Sequence, residues 1–249
     1  KVEKFEELIN DRTRAIMICN PNNPTGYLYT RREMNQIRDL VKKYDLYLFS
    51  DEVYREYIYT GSPYISACHL EGIEQNVILI DSVSKRYSEC GIRIGALITK
   101  NADVRRTVLK FCQARLSPPL IGQIVAEASL DAPEEYMRDV YDEYVERRKC
   151  LIDGLNRIHG VYSPIPMGAF YTVAKLPVDD AETFCRWCLA EFEHEGCTVM
   201  MAPAAGFYTT PGAGRNQVRI AYVLKKKDLE HALVVLRKAL EQYPGRVEE

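Results

Sequence analysis

Val77-Ile78-Leu79-Ile80-Asp81-Ser82-Val83-Ser84-Lys85 is the stretch on which the reading of this chain turns. Four consecutive apolar residues describe a strand covered on both faces, and such strands belong to parallel sheets flanked by helices. Two hydroxyls and a lysine then arrive at the strand's carboxyl end, where α/β sheets place their ligands. Three more runs have the same character: AIMIC (15–19), LYLFS (46–50) and IGALIT (94–99) all read as buried strands. Between the first two, Thr30-Arg31-Arg32-Glu33 has the form of a capping box, and Met34, Ile37, Leu40, Val41 and Tyr44 follow at helical spacing. Strand, helix and strand make one βαβ unit.

After Asp131-Ala132-Pro133 the pattern becomes a long charged helix over residues 134–158, closed by His159-Gly160. A boundary is expected near Ala132. Beyond it come a strand AFYTVAKL (169–176), an amphipathic helix carrying Phe184, Trp187, Cys188 and Phe192, a strand QVRIAYV (217–223), and a last helix with Asp228 as its cap. The expected fold is therefore α/β: residues 1–131 form part of a large domain with a mostly parallel sheet flanked by helices. Residues 132–249, with the connecting helix, form a small C-terminal α+β domain.

Composition narrows the function classes. The 249 residues are 47% hydrophobic and 27% charged with a net charge of −2, which gives neither the basic footprint of nucleic-acid binding nor a polybasic membrane patch. No apolar run is long enough to span a bilayer and no signal-peptide pattern is present, so a cytoplasmic location is expected. The eight cysteines are scattered and read as reduced, mostly buried thiols. Cys185 and Cys188 have metal-ligand spacing, but they lack a second pair and fall on an amphipathic helix, so core packing is expected and no metal is.

Three strand ends carry polar groups suited to one cleft: Asn20-Pro21-Asn22-Asn23-Pro24-Thr25-Gly26, Ser50-Asp51-Glu52-Val53-Tyr54, and Ser82 to Lys85 followed by Gly91-Ile92-Arg93-Ile94-Gly95. Together with the late Val218-Arg219-Ile220-Ala221-Tyr222, these occur in the order found in class I/II aminotransferases of the aspartate-aminotransferase-like, fold-type-I pyridoxal-phosphate family, which the chain resembles over nearly its whole length.

That resemblance implies a pyridoxal 5'-phosphate enzyme that moves an amino group between an α-amino acid, aspartate-like, and a 2-oxo acid. Lys85 would hold the cofactor as a Schiff base and shuttle the α-proton; its alternative is a solvated lysine. Asp51 would face the ring nitrogen, or else cap a turn. Asn23 and Tyr54 would hydrogen-bond the ring 3'-oxygen, Asn23 also facing substrate; their alternatives are an Asn-Pro turn and a core aromatic. Ser82, Ser84 and Arg93 resemble the phosphate grip, although the Ser84 hydroxyl could bond only backbone. Arg219 matches the arginine that binds the substrate α-carboxylate, or it forms an internal ion pair. Glu89 stands where the pattern carries an apolar or small residue, and it either points to solvent or perturbs the phosphate end. Family members also have an N-terminal region that is not visible in residues 1–19, so the chain is expected to be the C-terminal two-thirds of a protein that is homodimeric in full-length form. A lyase or synthase of the same fold uses the same lysine, aspartate and arginine, and an inactive truncated domain is the reading from a different class.

Overall fold

The first sheet orders its strands β1 (Ala15–Cys19), β2 (Tyr47–Asp51), β3 (Val77–Ser82) and β4 (Gly95–Ile98). The computed structural model describes residues 2–247. β1 to β3 run parallel and β4 is antiparallel to β3, so the sheet is mostly parallel. The crossover from β1 to β2 is made by α1 (Arg31–Tyr44). Thr30 Oγ1 accepts the Glu33 amide hydrogen while the Glu33 carboxylate takes the Thr30 amide, closing the capping box read from the sequence. Met34, Ile37 and Val41 on the inner face of α1 are fully buried and pack with Ile18, Leu48 and Val77. That packing fixes the strand ends relative to one another. In register, Asp51 pairs with Ile80, which sets Asp51 beside the last residues of β3, Asp81 and Ser82.

Burial corrects two of the strand readings. Every residue of β4 is exposed, Leu97 and Ile98 among them, and Met17 of β1 is 71% exposed. The physical reason is position: β1 and β4 are the two edges of the sheet, each paired on one side only. Downstream, α3 (Ala102–Arg115) and α4 (Leu120–Ala128) leave Leu109, Phe111, Ile121 and Ile124 exposed. None of the described helices is long and apolar enough to cross a membrane.

The chain divides into two compact bodies. One holds residues through Asn22 and Tyr27–Arg138, and the other holds Asn23–Gly26 with Asp139 onward. The helix α5 (Glu134–Leu155) runs from the first into the second and ends three residues earlier than its periodicity suggests, the chain turning through Ile158 to Gly160 at φ +79°. The second body has an antiparallel sheet ordered β5 (Tyr171–Lys175), β7 (Gln217–Ala221), β6 (Ala202–Pro203), the two-residue β6 being too short to read from sequence. Its helices are α6 (Ala181–Ala190) and α7 (Lys226–Gln242). Cys185 and Cys188 lie buried on α6, while Phe192 falls beyond the helix yet stacks on Trp187 at 5.2 Å. Asp228 does not cap α7. The extended residue before the helix is Lys225, which places Asp228 in the first turn, where an acid favours the amide-rich end.

Candidate active site

Ser82 ends β3 and starts α2 (Val83–Arg86), a single helical turn. Its Oγ accepts the Ser84 amide hydrogen at 3.1 Å and lies 2.8 Å from both the Ser84 hydroxyl and the Ile94 carbonyl oxygen. The turn is pinned from the neighbouring strand end. The Tyr57 hydroxyl donates to the Lys85 carbonyl at 2.6 Å, Arg55 pairs with Asp81 at 2.7 Å, and Arg86 pairs with Glu56 at 3.0 Å. Lys85, half-buried, brings its Nζ to 5.9 Å from the centroid of the buried Tyr54 ring.

Asp51 closes β2, and its Oδ1 accepts the Val53 amide hydrogen at 3.2 Å. Burial raises its pKa above the ordinary carboxylate value; the Val53 hydrogen bond opposes this, the Asp81 charge adds to it and the Lys85 charge opposes it. A carboxyl with a raised folded pKa contributes stability below its unfolded pKa of about 4, and that contribution is lost as pH rises through the folded value. At neutral pH the ionised Asp51 is therefore a net cost to the ligand-free chain. Asp51→Asn should raise the urea midpoint of the ligand-free chain more at pH 7 than at pH 3; an equal change at both would contradict it.

The residue sequence reasoning passed over is Glu52. It is 1% exposed, and its Oε1 accepts from the Ser50 hydroxyl at 3.0 Å, the Ser66 hydroxyl at 3.1 Å and the Ala67 amide at 2.8 Å. Beside it the Tyr64 hydroxyl donates to the Asn20 carbonyl at 2.9 Å, and burial with the Glu52 charge pushes that phenol's pKa up. This buried polar knot ties the end of β1 to the end of β2. The alternation of Ser50 and Glu52 about Asp51, two polar residues on the inward face, was the available signal.

Arg93 is exposed, has φ +62°, and turns its Nη1 back to the Cys90 carbonyl at 2.8 Å. Among the described residues no hydrogen bond or ion pair joins it to Ser82 or Ser84. Glu89 is half-buried, and its Oε1 accepts from the Ser129 hydroxyl at 2.5 Å.

Asn23 and Arg219 are brought together in the second body. Arg219, half-buried on β7, donates from Nη1 to Asn23 Oδ1 at 3.1 Å. The loop carrying Asn23 is held by backbone: the Gly26 carbonyl accepts the amides of Met167 and Gly168 at 2.8 and 2.9 Å. At φ +69°, Gly26 leaves no room for a side chain, as a Cβ there would meet Pro166 at 2.5 Å and the Tyr171 carbonyl at 2.9 Å.

The group implied for these residues is pyridoxal phosphate, and the donor set in the first body fits it. An amine at Lys85, two hydroxyls at Ser82 and Ser84, and a carboxylate whose ionised form lacks enough stabilisation at Asp51 match an aldehyde, a phosphate and a basic ring nitrogen respectively.

Comparison with known proteins agrees. The model of the family "Aminotransferase class I and II" matches residues 1–236. An aspartate aminotransferase of Rhizobium meliloti is 26% identical over 93% of this chain and 57% of its own length. An aromatic-amino-acid aminotransferase of Thermococcus litoralis is 29% identical over 97% of this chain and 61% of its own. Among solved structures, the aromatic aminotransferase of Pyrococcus horikoshii superposes with a TM-score of 0.85 at 27% identity, covering 97% of this chain and 64% of that one. The alanine aminotransferase of Pyrococcus furiosus gives 0.84 at 28% identity, covering 97% and 61%. The chain spans about three-fifths of the length of these relatives. The order of strand-end motifs, the mostly parallel sheet that carries them and the family match agree, and the chain belongs to the class I and II aminotransferases.

Proposed function

We propose that this chain carries the chemical groups of a pyridoxal-phosphate-dependent aminotransferase, and that the amino donor is an acidic amino acid such as aspartate. The observation that carries the reading is the juxtaposition of Lys85, Tyr54 and Asp51 at the carboxyl ends of adjacent strands. When bound, the cofactor supplies an aldehyde carbon that an amine can capture and a ring that takes up the electron pair left at the substrate α-carbon.

In this reading Lys85 Nζ would make the covalent attachment to the cofactor and would carry the proton at the substrate α-carbon. Asp51 would keep the ring nitrogen protonated, the positive charge there offsetting the burial that disfavours its own ionised form. Tyr54 would hold the ring hydroxyl oxygen, while Ser82, Ser84 and Arg93 would hold the phosphate. Arg93 would have to release the Cys90 carbonyl to do so. Arg219 takes the substrate α-carboxylate in its planar fork, steadied by Asn23.

Aspartate is favoured because several of the relatives are named aspartate aminotransferases. The test is turnover of a panel of amino acids with 2-oxoglutarate. The proposal expects acceptor-dependent formation of the matching 2-oxo acid, fastest with aspartate. Release of pyruvate and ammonia without an acceptor would instead place the chain among lyases of the same fold.

Arg219→Lys separates binding from attachment. Lysine keeps the charge and loses the bidentate fork, so KM for the amino acid should rise about tenfold or more while covalent cofactor attachment is unchanged. Unchanged KM with lowered stability would make Arg219 a structural cation.

A further inference from the structure

Arg219 is restrained by more than Asn23. Its guanidinium carbon lies 5.0 Å from the centroid of the Tyr171 ring and 5.3 Å from that of Phe207. Among the described residues it makes no ion pair. The five donors of a guanidinium lie in its plane, so aromatic rings set against the group restrain its tilt and leave edge donors for a planar anion. Tyr171 is a fixed wall, buried on β5 and paired in register with Ala221 of β7.

Phe207 is different. It ends a short 3-10 turn, Ala205–Phe207, and is 45% exposed, so burial of its own ring does not account for its placement. The turn is tied on both sides to the strand that carries Arg219: the Ala204 amide donates to the Gln217 carbonyl at 2.9 Å, and the Tyr208 hydroxyl donates to Gln217 Oε1 at 2.6 Å. Gln217 is the first residue of β7. The strand thus presents the arginine and anchors the ring set against it.

We propose that Phe207, working against Tyr171, is a positioning residue that holds the Arg219 fork in the orientation needed to receive a carboxylate. This rests on the reading of Arg219 as the carboxylate site. It predicts that losing the aromatic ring loosens the guanidinium before any substrate arrives and weakens capture of a bare carboxylate.

Two measurements on the full chain test it, neither requiring turnover. The first follows the nitrogen relaxation of the Arg219 Nε–Hε group without ligand, and the second titrates propionate by chemical shift, with propylamine as the control that lacks a carboxylate. Phe207→Leu should increase the mobility of the Arg219 group and weaken propionate binding about fivefold, the loss expected from one partly exposed cation–π contact. Phe207→Tyr should keep both at wild-type values. Wild-type behaviour of Phe207→Leu in either measurement overturns the proposal, as does an equal loss in Phe207→Tyr. Arg219→Gln distinguishes the underlying reading: if propionate binding survives it, Arg219 is not the carboxylate site, whereas the relaxation measurement still reports on the clamp itself.

Discussion

Asp51→Asn is expected to slow turnover about a thousandfold, a loss of ~4 kcal/mol in transition-state stabilisation. The substitution keeps the shape of the side chain and its acceptor for the Val53 amide, but it removes the charge. Asp51 sits where burial already disfavours that charge, so in the proposed reading a protonated ring nitrogen beside it would be preferred over a neutral one. Without the carboxylate that preference disappears, and removal of the substrate α-proton loses the sink for its electrons. Retention of the cofactor should fall much less, because the lysine and the serines remain. A cofactor analogue with a fixed positive charge at the ring nitrogen should restore part of the rate. Turnover within about tenfold of wild type under saturating cofactor would make Asp51 a turn residue.

In the proposed reading, Lys85→Ala removes two roles at once, the amine of the covalent link and the base that moves the α-proton. Positioned proton transfer alone is worth about 10² to 10⁴ in rate, so the variant should lose about 10⁴-fold or more in a single-turnover measurement. The surrounding pins belong to other atoms: Tyr57 holds the Lys85 backbone carbonyl, and Arg55 and Arg86 hold Asp81 and Glu56. The variant should therefore fold as wild type does, with unchanged circular dichroism. A rate within a hundredfold of wild type would assign the proton transfer to another group.

Much of this geometry was legible in the chain because its causes are local. The capping box at Thr30 and Glu33 and the apolar stripe of α1 fix one βαβ unit, and a parallel sheet brings its strand ends to one side. The sequence thereby grouped Asp51 with Lys85. It did not reveal how side chains divide their bonds. Neither the left-handed backbone of Arg93 and its bond to the Cys90 carbonyl nor the Ser129 hydroxyl beside Glu89 could be read from the chain. Those partners are set by contacts 3 and 40 residues apart, which no periodicity encodes. Burial misled for the same reason: the apolar residues of β4 mark a strand, but its place at the sheet edge leaves them exposed. Phe207 carried no sequence signal at all, since its significance lies in a ring set against Arg219.

Borohydride reduction of the cofactor-loaded protein followed by peptide mapping tests Lys85 as the attachment point directly. A stable pyridoxyl label is expected on the peptide containing Lys85 and none in Lys85→Ala; a label confined to any other lysine would contradict the assignment.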